Sequence, residues 1–171
     1  MFRARSSLIV LAAAAALLTA CSADPQPQPT SPPVMPQEQP NYDQVSGVYK
    51  PMDTAVSSKV DAEVTILAVD QENTTYGPAT VFTFQILNTG NQLLDPFLWS
   101  SPDVTYGPAG QPAEWFVDSG AGLGMGLNGP IPPGARQTVR EPFKVAKADL
   151  TEAVVSEGSL VWQGDFSTFA R

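Results

Sequence analysis

Residues 124–129, Gly-Met-Gly-Leu-Asn-Gly, carry the spacing G-x-G-x-x-G. In a dinucleotide-binding loop that spacing lets the backbone approach a pyrophosphate, with a strand before it and a helix N-terminus after it. Here Pro130, Pro132 and Pro133 follow at once. They lack the backbone donors a phosphate cradle needs, and they oppose a helix. From Ala135 the chain reads as a strand. No nucleotide is expected. What remains is a glycine-rich loop, residues 118–134, that also holds Leu123, Met125 and Leu127. Such a loop is either a flap packed on the domain or a contact surface for a partner.

Other side chains narrow the chemistry further. The chain has no histidine and one cysteine. Histidine-based triads, histidine-ligated metals and disulfides are therefore excluded, and Ser-x-x-Lys does not occur. Asp95, Asp103 and Asp118 are oxygen ligands of the kind Ca²⁺ takes, but they lack the spacing of a calcium loop. Paired carboxylates could serve a hydrolase, though a domain this small rarely has the cleft. No metal or other cofactor is expected. Of the tryptophans, Trp99 and Trp162 read as core, Trp99 sharing a face with Phe97. Trp115 reads equally as core or as a platform for a ligand.

Cys21 has a chemistry of its own. Arg3 and Arg5 precede an apolar run, Leu8 to Leu18, followed by small residues. This is the layout of a secretory signal peptide over residues 1–20. Leu18-Thr19-Ala20-Cys21 resembles a bacterial lipobox. The resemblance implies cleavage between Ala20 and Cys21, a diacylglyceryl thioether on Cys21, and a location on the extracytoplasmic face of the cell membrane. Two acyl chains anchor stably, at ~0.8 kcal/mol per buried CH₂. Loss of Arg3 and Arg5 takes the 9 Lys and Arg down to 7 against 17 Asp and Glu, a net charge of −10. A surface so acidic repels nucleic acid and anionic headgroups, so the membrane contact falls to the anchor.

The elements that must position any site begin later. Residues 21–56 are expected to form a tether. Its Pro- and Gln-rich stretch, residues 22–40, has little to bury and extends roughly 60 Å at ~3.1 Å per residue. Residues 41–58 have no assignable structure. The domain is expected over 57–171. Val60 to Ala68 alternates as a half-buried strand, followed by a turn over Gln71–Ala79. Val81 to Leu87 places Phe82, Phe84 and Ile86 on one face, and Asn88–Asn91 turns the chain. Leu93 to Trp99 reads as an edge strand because of Pro96. Val104–Tyr106 and Glu114–Val117 read as arms of a hairpin. Gln137–Val145 points Val139, Phe143 and Val145 inward. Leu150–Val155 and Leu160–Gln163 pair across Ser156-Glu157-Gly158, and Ala146–Ala153 has room for a helical turn. Seven to eight short strands without a 3.6-residue period predict an all-β, immunoglobulin-like antiparallel β-sandwich.

Three short stretches carry a family resemblance: Phe84-Gln85-Ile86-Leu87-Asn88, Ile131-Pro132-Pro133-Gly134 leading to Phe143-Lys144-Val145, and the final hairpin into Leu160-Val161-Trp162. Together they resemble actinobacterial secreted proteins and lipoproteins with a telokin-like immunoglobulin fold. The resemblance implies that fold and an envelope location, with no catalytic residues to carry over. The expected function is a non-enzymatic surface module for an envelope protein or glycan, with Trp115, Leu123, Met125 and Leu127 as candidate contacts. Capture of a small ligand or glycan by the 118–134 loop is the alternative, and a carboxylate-dependent hydrolase the third. The anchor is tested directly: Cys21→Ser should release the protein from the membrane fraction and block normal processing, as read by fractionation and mass spectrometry. Unchanged membrane retention would remove the lipobox assignment.

Overall fold

The computed structural model describes residues 47–57 and 59–171. The signal segment, the Ala20–Cys21 cleavage and lipidation site and the Pro/Gln stretch lie outside the described residues. Among the described residues there are nine strands, β1 (Val48–Tyr49), β2 (Thr54–Ser57), β3 (Ala62–Thr74), β4 (Gly77–Asn88), β5 (Asp103–Tyr106), β6 (Gln111–Pro112), β7 (Arg136–Phe143), β8 (Ala153–Glu157) and β9 (Leu160–Gly164). They form a five-stranded sheet, β1-β9-β8-β5-β6, and a four-stranded sheet, β2-β3-β4-β7. Among the described residues the only helical pieces are two 3₁₀ turns, Pro96–Leu98 and Lys147–Asp149. The second supplies the turn expected after Ala146. Pairing is antiparallel except for β1 on β9, where Val48 lies beside Val161 and Tyr49 beside Trp162. Since β1 and the first three residues of β2 lie before residue 57, part of the 21–56 stretch expected as tether is strand.

One core lies between the sheets. Ala62, Val64, Ile66, Phe82, Phe84, Ile86, Val139 and Phe143 enter it from the four-stranded sheet, and Val104, Val155, Leu160 and Trp162 from the other. β4 lies between β3 and β7, and from Phe82 onward it alternates, Phe82, Phe84 and Ile86 being buried. Its Phe82 ring meets Phe143 and Phe166 edge-on at 5.7 and 5.6 Å, while Phe84 lies 6.1 Å from Trp162. Aromatic pairs in such offset or edge geometries add roughly 0.5–1.5 kcal/mol beyond their burial.

The strands depart from the expected register in four places. In β3 a bulge between Ile66 and Ala68 resets the alternation, so Val69 is buried where Ala68 was expected. A bulge inserts one residue and flips every side chain beyond it. The turn expected over Gln71–Ala79 is mostly ladder: Gln71 pairs with Thr80 and Thr74 with Gly77, leaving only Thr75 and Tyr76 in the turn. The hairpin partner of β5 is Gln111–Pro112 rather than Glu114–Val117. Trp115 instead bridges to Phe143 on β7. Between β8 and β9 the turn is Gly158-Ser159, and Glu157 remains in the strand opposite Leu160.

Leu93–Trp99 is not a strand. Leu94 makes a single bridge to Ile131, and then the Asp95 carboxylate accepts from Phe97 N at 2.9 Å and caps a 3₁₀ turn. An Asp-Pro step favours that local bond over extension into a ladder. Phe97 consequently points to solvent at 92 % exposure, away from the face of Trp99.

Asn88 holds this corner together. It is buried, its Nδ2 donates to Gln92 O (2.7 Å) and Ile131 O (2.8 Å), and its Oδ1 accepts from Gly90 N (2.9 Å). Asn88→Ala strips three hydrogen bonds from a buried position. It should destabilise the domain by about 2–4 kcal/mol in urea titrations at unchanged m-value; a loss under about 0.5 kcal/mol would show that the corner forms without it.

Candidate functional site

The dipeptide Trp99-Ser100 lies between two buried glutamates. Glu141 is 1 % exposed. It sits on β7 between Val139 and Phe143 in sequence and pairs with Phe82 on β4, so strand phase turns it toward the core. Trp99 Nε1 donates to Glu141 Oε1 at 3.2 Å, and Trp115 Nε1 donates to Oε2 at 2.8 Å. Each carboxylate oxygen thus takes one indole N–H. Burial pushes the Glu141 carboxyl above its ordinary value, and the Trp115 and Trp99 bonds pull it partly back. Glu157 also falls in an inward phase, two residues after Val155 on β8. Its Oε1 accepts from Ser100 N (3.2 Å) and Ser100 Oγ (3.1 Å). Burial raises its pKa too, against the opposing Ser100 bonds.

Next to this pair a cavity of about 330 Å³ opens between the sheets. Val64 and Ile86 line it from the four-stranded sheet and Leu160 from the other, with Leu94, Trp99 and Leu127 contributed by the connecting segments. Its polar lining includes Glu157, Asp95 and Lys59. That volume is at the lower end of the roughly 300–1,000 Å³ typical of small-molecule sites. At its rim, Leu93, Phe97 and Leu98 are 64 %, 92 % and 52 % exposed, Leu98 also lining the cavity, on a turn held from beneath by Leu94 and Trp99.

The expected contact residues separate. Leu123 is fully buried and so contributes packing, not an exposed contact. Its neighbour Gly124 donates N–H to Arg140 O at 2.8 Å, and Asp118 Oδ2 accepts from Thr75 N at 2.8 Å. The first part of the 118–134 loop is therefore a flap fastened to the four-stranded sheet. Gly124 has φ +70°, and a Cβ there would lie 2.7 Å from Phe116 O, so this position admits only glycine without rearrangement. Gly126 and Gly129 also have positive φ, at 65° and 115°. No helix follows them, so the G-x-G-x-x-G spacing belongs to a loop pressed against a sheet. Met125 is exposed, Leu127 lines the cavity, and half-buried Trp115 is committed to Glu141.

Asp95, Asp103 and Asp118 do not converge. Asp95 caps the 3₁₀ turn, Asp103 pairs with Ser156 in the ladder, and Asp118 accepts amides of Thr75 and Ala121. Those bonds, that of the Thr75 backbone first, hold the Asp118 carboxyl below its ordinary value. Among the described residues no three acidic, Cys or His side chains form a metal-binding group. Glu141 and Glu157 were not among the expected site residues. Their signal was present in the alternation: positions 139-141-143 and 153-155-157 each carry a glutamate in phase with core residues.

No protein-family model, curated protein or solved structure matches the chain.

The raised pKa of Glu141 has a definite sign. The folded state binds its proton more tightly than the unfolded state does. The resulting stability is complete below the unfolded value and is lost as pH rises through the raised folded value. Wild-type stability should therefore fall as pH rises through that value, by roughly 1.4 kcal/mol per unit of the rise, whereas Glu141→Gln, which keeps an acceptor for only one of the two indoles, should be less stable than wild type in acid and lose this pH dependence. Chemical denaturation across pH 4–8 measures both; a glutamine variant with the wild-type pH dependence would contradict the assignment.

Proposed function

We propose that this chain is a non-enzymatic binding module of the cell envelope, an immunoglobulin-like β-sandwich anchored at Cys21 on the extracytoplasmic face and held out on its Pro/Gln tether. Two sheets around one core, joined largely by hairpins, support the sandwich. The resemblance to actinobacterial lipoproteins supports the location. The buried glutamates are engaged by indole, amide and hydroxyl donors, an arrangement that fixes position rather than moving protons.

The observation that carries a binding role is the 93–98 turn. Three large apolar side chains, Leu93, Phe97 and Leu98, stand in solvent on one short segment. That segment is rigidly built: Asp95 caps it, Leu98 N donates to Asp95 O at 3.1 Å, and Leu94 exchanges two backbone bonds with Ile131 at 2.9 Å each. An apolar group held ready in one conformation loses little entropy on binding, and exposed clusters of this kind mark contact surfaces. The contact surface accordingly lies at this turn more than at the buried Leu123.

A photo-crosslinking amino acid in place of Phe97, in living cells, should give a discrete protein adduct, while the same group at exposed Thr151 should not. Phe97→Ser should abolish capture by a crosslinker placed at Leu93 and change stability by no more than about 0.5 kcal/mol, as expected for an exposed position. Equal adducts at residues 97 and 151, or none at either, would remove the contact assignment.

A further inference from the structure

We infer that Asn128 is a site of spontaneous deamidation and that Gln137, on β7, holds the reaction in check. The reaction is independent of the contact at Phe97. It belongs to the Asn-Gly step that closes the 124–129 spacing.

The chemistry needs a side-chain amide and an unhindered backbone nitrogen one residue on. Gly129 N attacks Asn128 Cγ, the Cγ–Nδ2 bond breaks, and ammonia leaves carrying the backbone amide proton. Water then opens the five-membered imide at either carbonyl, giving aspartate or isoaspartate. A side chain on the attacking residue obstructs ring closure, and glycine has none. Asn128 is the only asparagine in the chain followed by glycine; Asn41, Asn73, Asn88 and Asn91 precede Tyr42, Thr74, Thr89 and Gln92. The surroundings of Gly129 are open as well, since a Cβ placed there would meet nothing within 4 Å. Asn128 itself is exposed, so water reaches its side chain.

Gln137 spans the reacting peptide. Its Oε1 accepts from Asn128 N at 3.1 Å, and its Nε2 donates to Gly129 O at 3.2 Å. The peptide linking Asn128 to Gly129 lies between these two bonds. Gln137 is itself fixed in the ladder opposite Ile86, so it does not follow the loop. Ring closure must turn the linking peptide to bring Gly129 N onto Cγ, and the clamp opposes that turn. The folded protein therefore reacts through local opening of the loop, whereas the unfolded chain reacts without that step.

The product bears on its neighbour. Either acid adds a negative charge to the loop. Isoaspartate also routes the main chain through the former side chain, lengthening it by one carbon. Leu127 lies immediately before this position and lines the cavity, so the modification displaces the attachment of a cavity wall.

The full chain, incubated at mildly alkaline pH, is followed by released ammonia and by peptide mapping. Conversion should occur at Asn128 and should accelerate when the chain is unfolded in guanidinium chloride. Gln137→Ala should speed conversion of the folded protein roughly fivefold or more, as for loss of at least one net hydrogen bond from the unreactive form. Gln137→Glu keeps the acceptor for Asn128 N and loses the donor to Gly129 O, so its rate should fall between the two. Asn128→Gln should end ammonia release from the loop. Wild-type rates in both Gln137 variants, with urea titrations showing them folded, would overturn the restraint. An unfolded chain that leaves Asn128 intact, or that converts Asn88 or Asn91 ahead of it, would overturn the site. Neither result touches the crosslink at Phe97.

Discussion

The fold depends on a carboxylate placed where an apolar side chain would ordinarily be. Glu141 occupies an inward position on β7, and its two oxygens draw in Trp99 and Trp115 from segments outside the ladders. A buried carboxylate is expensive to desolvate, and an apolar replacement of similar volume is often as stable. What the carboxylate adds is direction. Hydrophobic contact would accept either indole in many orientations, whereas an indole N–H bonded to a carboxylate fixes the ring in one. Trp99 then packs on Phe84 at 5.4 Å, and the following Ser100 is delivered to Glu157. Both sheets and the two longest irregular segments are thereby registered against one another.

Much of this organisation was legible where burial and alternation agree. Phe82, Phe84 and Ile86 on β4 and Val139 and Phe143 on β7 show a period of two that nothing in their surroundings disturbs. β3 was legible only to Ile66, because a bulge leaves no mark in composition. The polar run Gln71–Thr74 resembles a loop, yet its backbone is paired with β4 and its side chains take bonds from elsewhere. Gln71 accepts from Lys147 N and Glu72 pairs with Arg140. At Leu93–Trp99 the apolar composition suggested a strand, but a local Asp cap and a proline decided otherwise.

The two glutamates were legible by phase and hidden by residue type. A charged residue within an alternating strand is ordinarily assigned outward by type, while phase assigns Glu141 and Glu157 inward. Phase prevailed because donors were available within reach: two indoles for one, and an amide and hydroxyl for the other. Those donors come from residues 26, 42 and 57 positions away in sequence. Nothing short of the assembled sheets brings them together. The cavity is a further product of that assembly, since its walls come from strands and loops far apart in the chain.

The parallel pairing of β1 with β9 has a mechanical consequence. Any pull transmitted along the chain toward Gly47 reaches the domain at β1. The C-terminal hairpin strand beside it is hydrogen-bonded in turn to β8, and Trp162 Nε1 donates to Asp53 O at 3.2 Å just beyond β1. Tension is therefore delivered at the edge of the five-stranded sheet, onto β9 and the fully buried Trp162, before it reaches β2. Thermal fraying of the first strand and mechanical loading of the domain meet at the same two residue pairs, Val48–Val161 and Tyr49–Trp162.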